Sequence, residues 1–396
     1  MIRFISAGSL VYIFCFVFSP IYIYMTLIGT MPEAYLSLLF ACTLAVTVFS
    51  EKARYIKKTI FSRTNRAPAI VILLFLAYIL ITQLVYFSLG DRNDHLGRSL
   101  FLFNFTYFIY YVVWLICGIY IGKLIIKHDN ESLLTAAWLA TTIFHLSNIS
   151  PEGLKIDLSK IPTESIGIYL GLSDAYAIIS IIAVGSSKNI LKSISILAAS
   201  LFVLFILQSR SSMACTLFSA VLGYTLYSQP SKKILYLIIL GVCAFVLAPF
   251  AAELLSTDER MQVLFTKDYS SDGSYIERAM QLKYGLQHIF DNPILGGYEK
   301  IVIDLGSHGA YIHNILSFWQ VYGLLGFILA IYFFILFPTT TLLNHDLTRQ
   351  AKTTLTMLVI YITLQIVFSR SYVYNYSWLM VGFSLLLRIT PGCRKN

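Results

Sequence analysis

Three arginines and one histidine are the residues best placed by type and spacing to do chemistry in this chain. Arg210 stands in Gln208-Ser209-Arg210-Ser211-Ser212, a polar break between two apolar runs. Arg370 stands in the same setting, in Phe368-Ser369-Arg370-Ser371. Breaks this short put each guanidinium at a bilayer boundary or inside a helix end, where it keeps its charge and is costly without a partner. Snorkelling to the interface is the bland alternative. Arg278 begins an amphipathic stretch, so three cations project toward one face. His313 closes the segment Ser307-His308-Gly309-Ala310-Tyr311-Ile312-His313-Asn314 at the mouth of an apolar run. An imidazole there can take a proton from a hydroxyl near neutral pH. A lone histidine at an interface is more often a hydrogen-bonding residue, but a base opposite an arginine cluster makes a candidate active site. Asp174, about eight residues into another apolar run, has three readings: a polar group inside the bundle, a partner for an arginine, or a cap at a helix break.

The elements that must position these groups are helices in a membrane. The chain has 396 residues, 57% apolar and 12% charged, with a mean hydropathy of +0.73. Soluble domains are about 25% charged, so half the usual charge is missing. Apolar runs at about 5–28, 33–50, 67–90, 99–121, 132–148, 166–185, 194–209, 212–228, 234–252, 312–337, 353–369 and 377–390 each approach a bilayer's width of helix. That pattern excludes a soluble enzyme, a secreted disulfide scaffold and a disordered chain. It predicts an all-α, polytopic integral membrane protein of about 12 transmembrane helices, the first an uncleaved N-terminal helix.

Charge sets the expected topology. With the N-terminus inside, 18 of the 29 Lys and Arg residues fall on inner loops and 11 outside. Both termini are then cytoplasmic. Three regions follow: helices 1–9 over 1–252, one long outer loop over 253–311, and helices 10–12 with a cytoplasmic tail over 312–396. A loop that long is usually functional. Within it, Ala279, Leu282, Leu286 and Ile289 recur at helical spacing, predicting an amphipathic helix over 276–290 that lies along the membrane surface. Asp291-Asn292-Pro293 ends it.

Several functions are excluded by what the sequence lacks. The net charge of +9 is spread between apolar runs, not gathered into a nucleic-acid patch. The six cysteines, at 15, 42, 117, 215, 243 and 393, form no CxxC pair, so neither a disulfide nor a metal cage is expected. No P-loop or GxGxxG follows a strand. The close outer acids, Asp91/Asp94 and Asp258/Glu259, lie in hydrophilic loops, which argues against a metal-dependent nucleotide-sugar transferase. Cationic donors for a pyrophosphate and an imidazole base remain.

Those ingredients resemble the O-antigen polymerase and O-antigen ligase superfamily of bacterial envelope glycosyltransferases. Gln208-Ser209-Arg210 before an apolar helix is similar to that family's Ser/Thr-Arg element. Glu277-Arg278 through DNPILGG is similar to its Arg-led amphipathic helix and Pro-Leu/Ile-Gly turn. His313-Asn314 followed by Gly323 and Gly326 is similar to its His-Asn motif. The likeness spans roughly 205–330. It implies a donor glycan on undecaprenyl pyrophosphate at the periplasmic face of the inner membrane, gripped by Arg210 and Arg278 with help from Arg370. His313 would be the base of an inverting transfer, needing neither metal nor cofactor. His308, Tyr311, Asn314 and Asp174 are secondary or acceptor-side candidates, and a chain-length regulator is a partner the family admits. The spacing from His313-Asn314 to Gly323, one residue shorter than in ligases, tilts the reading toward polymerase. Ligase is the alternative, and a lipid-linked sugar transporter or flippase is a further one.

Overall fold

The structure is a computed structural model describing residues 7–27, 53–95, 97–126, 130–150, 156–157, 168–227, 241, 273–307, 310–343 and 346–390. Over these residues the chain is helical, and its few extended contacts are two isolated bridges, Asn93 with Ser99 and Ile149 with Ile156. Helix α1 runs from Ala7 to Leu27 through a π turn at Phe14–Phe18. It is followed by α2 (Ala53–Ile60), α3 (Arg66–Ser88), α4 (Leu100–Ile126), α5 (Glu131–Ser147) and α6 (Ile168–Ser186). Then come α7 (Ile190–Ile206), α8 (Arg210–Tyr227), α9 (Gly273–Asp291) and α10 (Lys300–Leu305). The last three are α11 (Leu316–Leu343), α12 (Arg349–Phe368) and α13 (Tyr376–Ile389).

Ten of the twelve expected apolar runs therefore coincide with helices, while those at 33–50 and 234–252 lie outside the described residues. Among the described residues four helices are long and apolar enough to cross a membrane: α3, α4, α11 and α12. Shorter apolar helices accompany them in α1, α6, α7 and α13. Over the described residues the chain is thus all-helical, with the composition of a membrane protein. Helix ends differ from expectation by several residues in places, and two of the starts have a visible local cause. The run predicted from 312 begins its helix at Leu316, because Asn314 caps the first turn, so His313 sits in the turn before the helix. The run predicted over 194–209 starts at Ile190, where the Asn189 side chain accepts the Leu191 N–H.

The core is aromatic and tightly packed. Trp378 is fully buried, with ring centroids 5.4 Å from Tyr111, 5.7 Å from Phe75 and 5.3 Å from Phe334. Helices α4 and α13 meet backbone to backbone: a Cβ on Gly118 would strike the Leu379 carbonyl, and one on Gly382 the Leu115 carbonyl. Small residues at such crossings are how helices pack where burial from water gives no drive. The Cys15 and Cys117 thiols face each other at 3.4 Å between α1 and α4, both free; Cys215 is free on α8. His145, near the end of α5, is buried against the Tyr176 ring at 5.2 Å.

Candidate functional site

A turn and three helix ends build the site. The connection between α7 and α8 is three residues long, and Gln208 adopts a left-handed backbone (φ 53°), the single positive φ outside glycine among the described residues. That reversal sends the Ser209 hydroxyl onto Ser212 Oγ (2.8 Å) and makes Arg210 the first residue of α8, half-buried.

Behind this turn lies a buried charge cluster. Arg370, 7% exposed, follows α12; its Nε donates to Asp174 Oδ2 (2.6 Å) and its Nη2 to Asp174 Oδ1 (3.0 Å). It donates further to Ser212 Oγ (3.2 Å), Ser369 Oγ (2.9 Å) and the Ser369 carbonyl (3.3 Å). Asp174, on α6, also accepts from the Ser212 hydroxyl (2.7 Å), the Tyr361 hydroxyl (2.8 Å) and the Gln365 amide (3.3 Å). Of the three readings of Asp174, the structure shows the arginine partner. Buried charges persist when paired and hydrogen-bonded in this way. The cluster ties α6, α8 and α12 together, and Ser212 joins it two residues after Arg210 on α8.

The opposite wall is α9 with the turn before α11. Arg278, Gln281, Gly285 and His288 share one face of α9, at spacings of three, four and three. A Cβ at Gly285 would collide with Ile312, so the glycine lets α9 lie against the His313 turn. Gln320 fastens the contact. Its Oε1 accepts the Ile312 N–H (3.0 Å), which orients the amide, so Nε2 donates to His288 Nδ1 (3.2 Å). His288 Nε2 then carries the proton and donates to Asp304 Oδ2 (2.7 Å).

His313 is half-buried between these walls. Burial, and after it the positive charges of Arg278 and Arg370, push its imidazole pKa down to about 4. Both arginines thus act on His313 through space. Tyr311 leans on it with ring centroids 5.4 Å apart and stacks edge-on to Tyr372 at 5.4 Å. Burial raises the Tyr311 pKa, while the Ser371 hydroxyl and Arg370 pull it back. The Asn314 side chain is engaged with Leu316 N–H (2.9 Å), so its role is to end the turn and start the helix. His308 lies outside the described residues.

Sequence reading missed Tyr361, Gln365 and Ser212 as members of the cluster. Tyr361 and Gln365, four residues apart on one face of an apolar run, were the available signal. It also missed His288 and Gln320, whose partners are remote in sequence. The Tyr374 hydroxyl and Asn375 Oδ1, in the turn after Arg370, are buried with no hydrogen-bond partner in the structure. Among the described residues no group of His, Cys, Asp or Glu gathers that could hold a metal ion. Comparison with known protein families, with curated proteins and with solved structures finds no match.

Proposed function

We propose that the chain is a membrane glycosyltransferase that joins undecaprenyl-pyrophosphate-linked oligosaccharide repeat units, an O-antigen polymerase acting at the periplasmic face of the bacterial inner membrane. The observation that carries this reading is the half-buried His313 in the turn before α11, its ring against Tyr311, with Arg278 and Arg370 close enough for their charges to bear on it. A neutral imidazole can accept the acceptor-sugar hydroxyl proton, and cations beside it can hold a pyrophosphate. The acceptor oxygen bonds the anomeric carbon from the face opposite the leaving group. The carbon–oxygen bond to the pyrophosphate breaks, and the electron pair leaves with undecaprenyl pyrophosphate. Arg210 and Arg278 steady the charge that grows there. Arg370 contributes through its field, since its own hydrogen bonds run to Asp174, Ser212 and Ser369.

A second reading, a lipid-linked sugar transporter, draws on one observation: α11 is broken at Gly323 (φ 69°, ψ −171°), and broken helices beside buried polar groups are a transporter device. The break here is filled by a turn of the same chain, which favours the enzyme.

The test is a lipopolysaccharide gel from cells lacking the gene, beside cells rescued with wild type, His313→Ala or Arg210→Ala. A core bearing one repeat with the ladder lost supports polymerase. A bare core with long chains on the carrier indicates a ligase, which shares the chemistry but takes lipid A–core as acceptor. A full ladder in both variants overturns the mechanism.

A further inference from the structure

We infer that the turn at 290–295, with the adjoining stripe of α9, is a wedge inserted into the hydrocarbon edge of the lipid leaflet beside α11. This goes beyond the transferase reading and does not depend on it.

Helix α9 buries Gln281 and His288 against the protein together with Ile289, and leaves Leu282 and Leu286 exposed. The same stripe runs on into Phe290 (80% exposed), Ile294 (71%) and Leu295 (72%). Such an apolar surface in a soluble setting marks an interaction site.

The backbone fixes where this surface lies. At the Gly323 break the bond that Leu324 N–H would make to Gln320 is replaced: Leu324 N–H donates to the Pro293 carbonyl (3.0 Å), and Gly297 N–H donates to the Gln320 carbonyl (2.7 Å). Trp319 Nε1 donates to the same Pro293 carbonyl (2.8 Å). The turn is thereby spliced into the ladder of α11, seven residues past the start at Leu316. With 28 residues, α11 is long and apolar enough to cross a membrane, so a turn spliced in a few residues from its start lies toward one edge of the span. Next to it on α11, Leu324, Leu325 and Ile328 are exposed on a candidate membrane span and continue the apolar surface. Proline at 293 brings no N–H to satisfy, and Gly296 N–H bonds back to the Asn292 carbonyl (2.9 Å). The turn is thus anchored to α11 at Pro293 and Gly297, on either side of Ile294 and Leu295. The occupant is therefore the acyl region of the bilayer.

The experiment is spin-label accessibility on the full chain in phospholipid nanodiscs, its native cysteines replaced by serine. Labels go on Ile294→Cys and Leu295→Cys, with Leu325→Cys as the lipid reference and Lys283→Cys as the aqueous one. The expected oxygen-to-nickel-chelate accessibility ratio at 294 and 295 matches that at 325 and is several-fold above that at 283. High chelate access overturns the inference, and so does exclusion of both reagents, which would mean a protein partner or second copy covers the turn. The unmodified chain gives an independent check. Fluorescence from Trp319, isolated by difference from Trp319→Phe, is quenched by lipids brominated near the headgroup end of the acyl chain if the turn is at that depth. No quenching overturns it.

Discussion

Arg370 directs five hydrogen bonds into the protein, two of them to one carboxylate, so its removal is first a structural event. Breaking a buried pair from one side leaves an uncompensated charge and typically costs about 3–5 kcal/mol. Arg370→Met and Asp174→Leu are each expected to lower the thermal midpoint of the purified protein, and the double variant to recover much of the loss. Additive losses in the double variant would show that the two side chains are not coupled. His313 behaves differently: among the described residues its ring meets Tyr311 and takes part in no ion pair. His313→Ala should fold normally and lose about 10²–10⁴ in turnover, the usual contribution of a positioned base. The pH dependence has a definite sign. The imidazole must be neutral to accept a proton, so kcat/KM should fall as pH drops through about 4. A bound pyrophosphate offsets the charges of Arg278 and Arg370, so the acid limb of kcat should lie at higher pH than that of kcat/KM. A shared limb for both would mean that the donor does not sit among these arginines.

At the scale of elements, the site depends on two docking events. The splice of the 293–297 turn into α11 requires a residue without a side chain at 323: its φ is 69° and a Cβ would strike the Ile294 carbonyl. Gly306 is left-handed too (φ 66°), but open space surrounds it. Gly323→Ala should therefore destabilise the protein well beyond Gly306→Ala, which meets only the backbone cost of roughly 1 kcal/mol. Equal losses in thermal unfolding would argue that the turn is not seated in the break. The other docking is by Gln320. Gln320→Leu leaves the Ile312 N–H and His288 Nδ1 without partners, at about 1–3 kcal/mol for a buried group. It should also loosen His313 one residue away, lowering kcat more than donor affinity. An unchanged kcat with a lowered midpoint would confine Gln320 to a structural role.

The whole molecule shows which features are legible in sequence and which are not. Helices were readable because twenty-residue apolar runs admit few alternatives, and the amphipathic stretch predicted over 276–290 is helical over Gly273–Asp291. His313 was legible as a polar exception at the end of such a run, and Arg278 as the first cation of the amphipathic stretch. Arg370 was legible too, but its partner was one of three options for Asp174, since a bond across 196 residues of chain leaves no mark on either neighbourhood. The break at Gly323 escaped for the same reason. A glycine reads as close packing, and only the arrival of Pro293 and Gly297 shows that the helix ladder is interrupted there. The docking face of α9 was not legible, because Gln281 and His288 are buried beside Ile289 through partners remote in sequence.

The most direct measurement is turnover by the purified chain in nanodiscs, given an undecaprenyl-pyrophosphate-linked oligosaccharide as both donor and acceptor. Wild type is expected to release undecaprenyl pyrophosphate in step with a lengthened glycan, while His313→Ala retains donor binding and releases almost none. Wild-type release by His313→Ala, or translocation of the lipid without any new glycosidic bond, would contradict the proposed transfer.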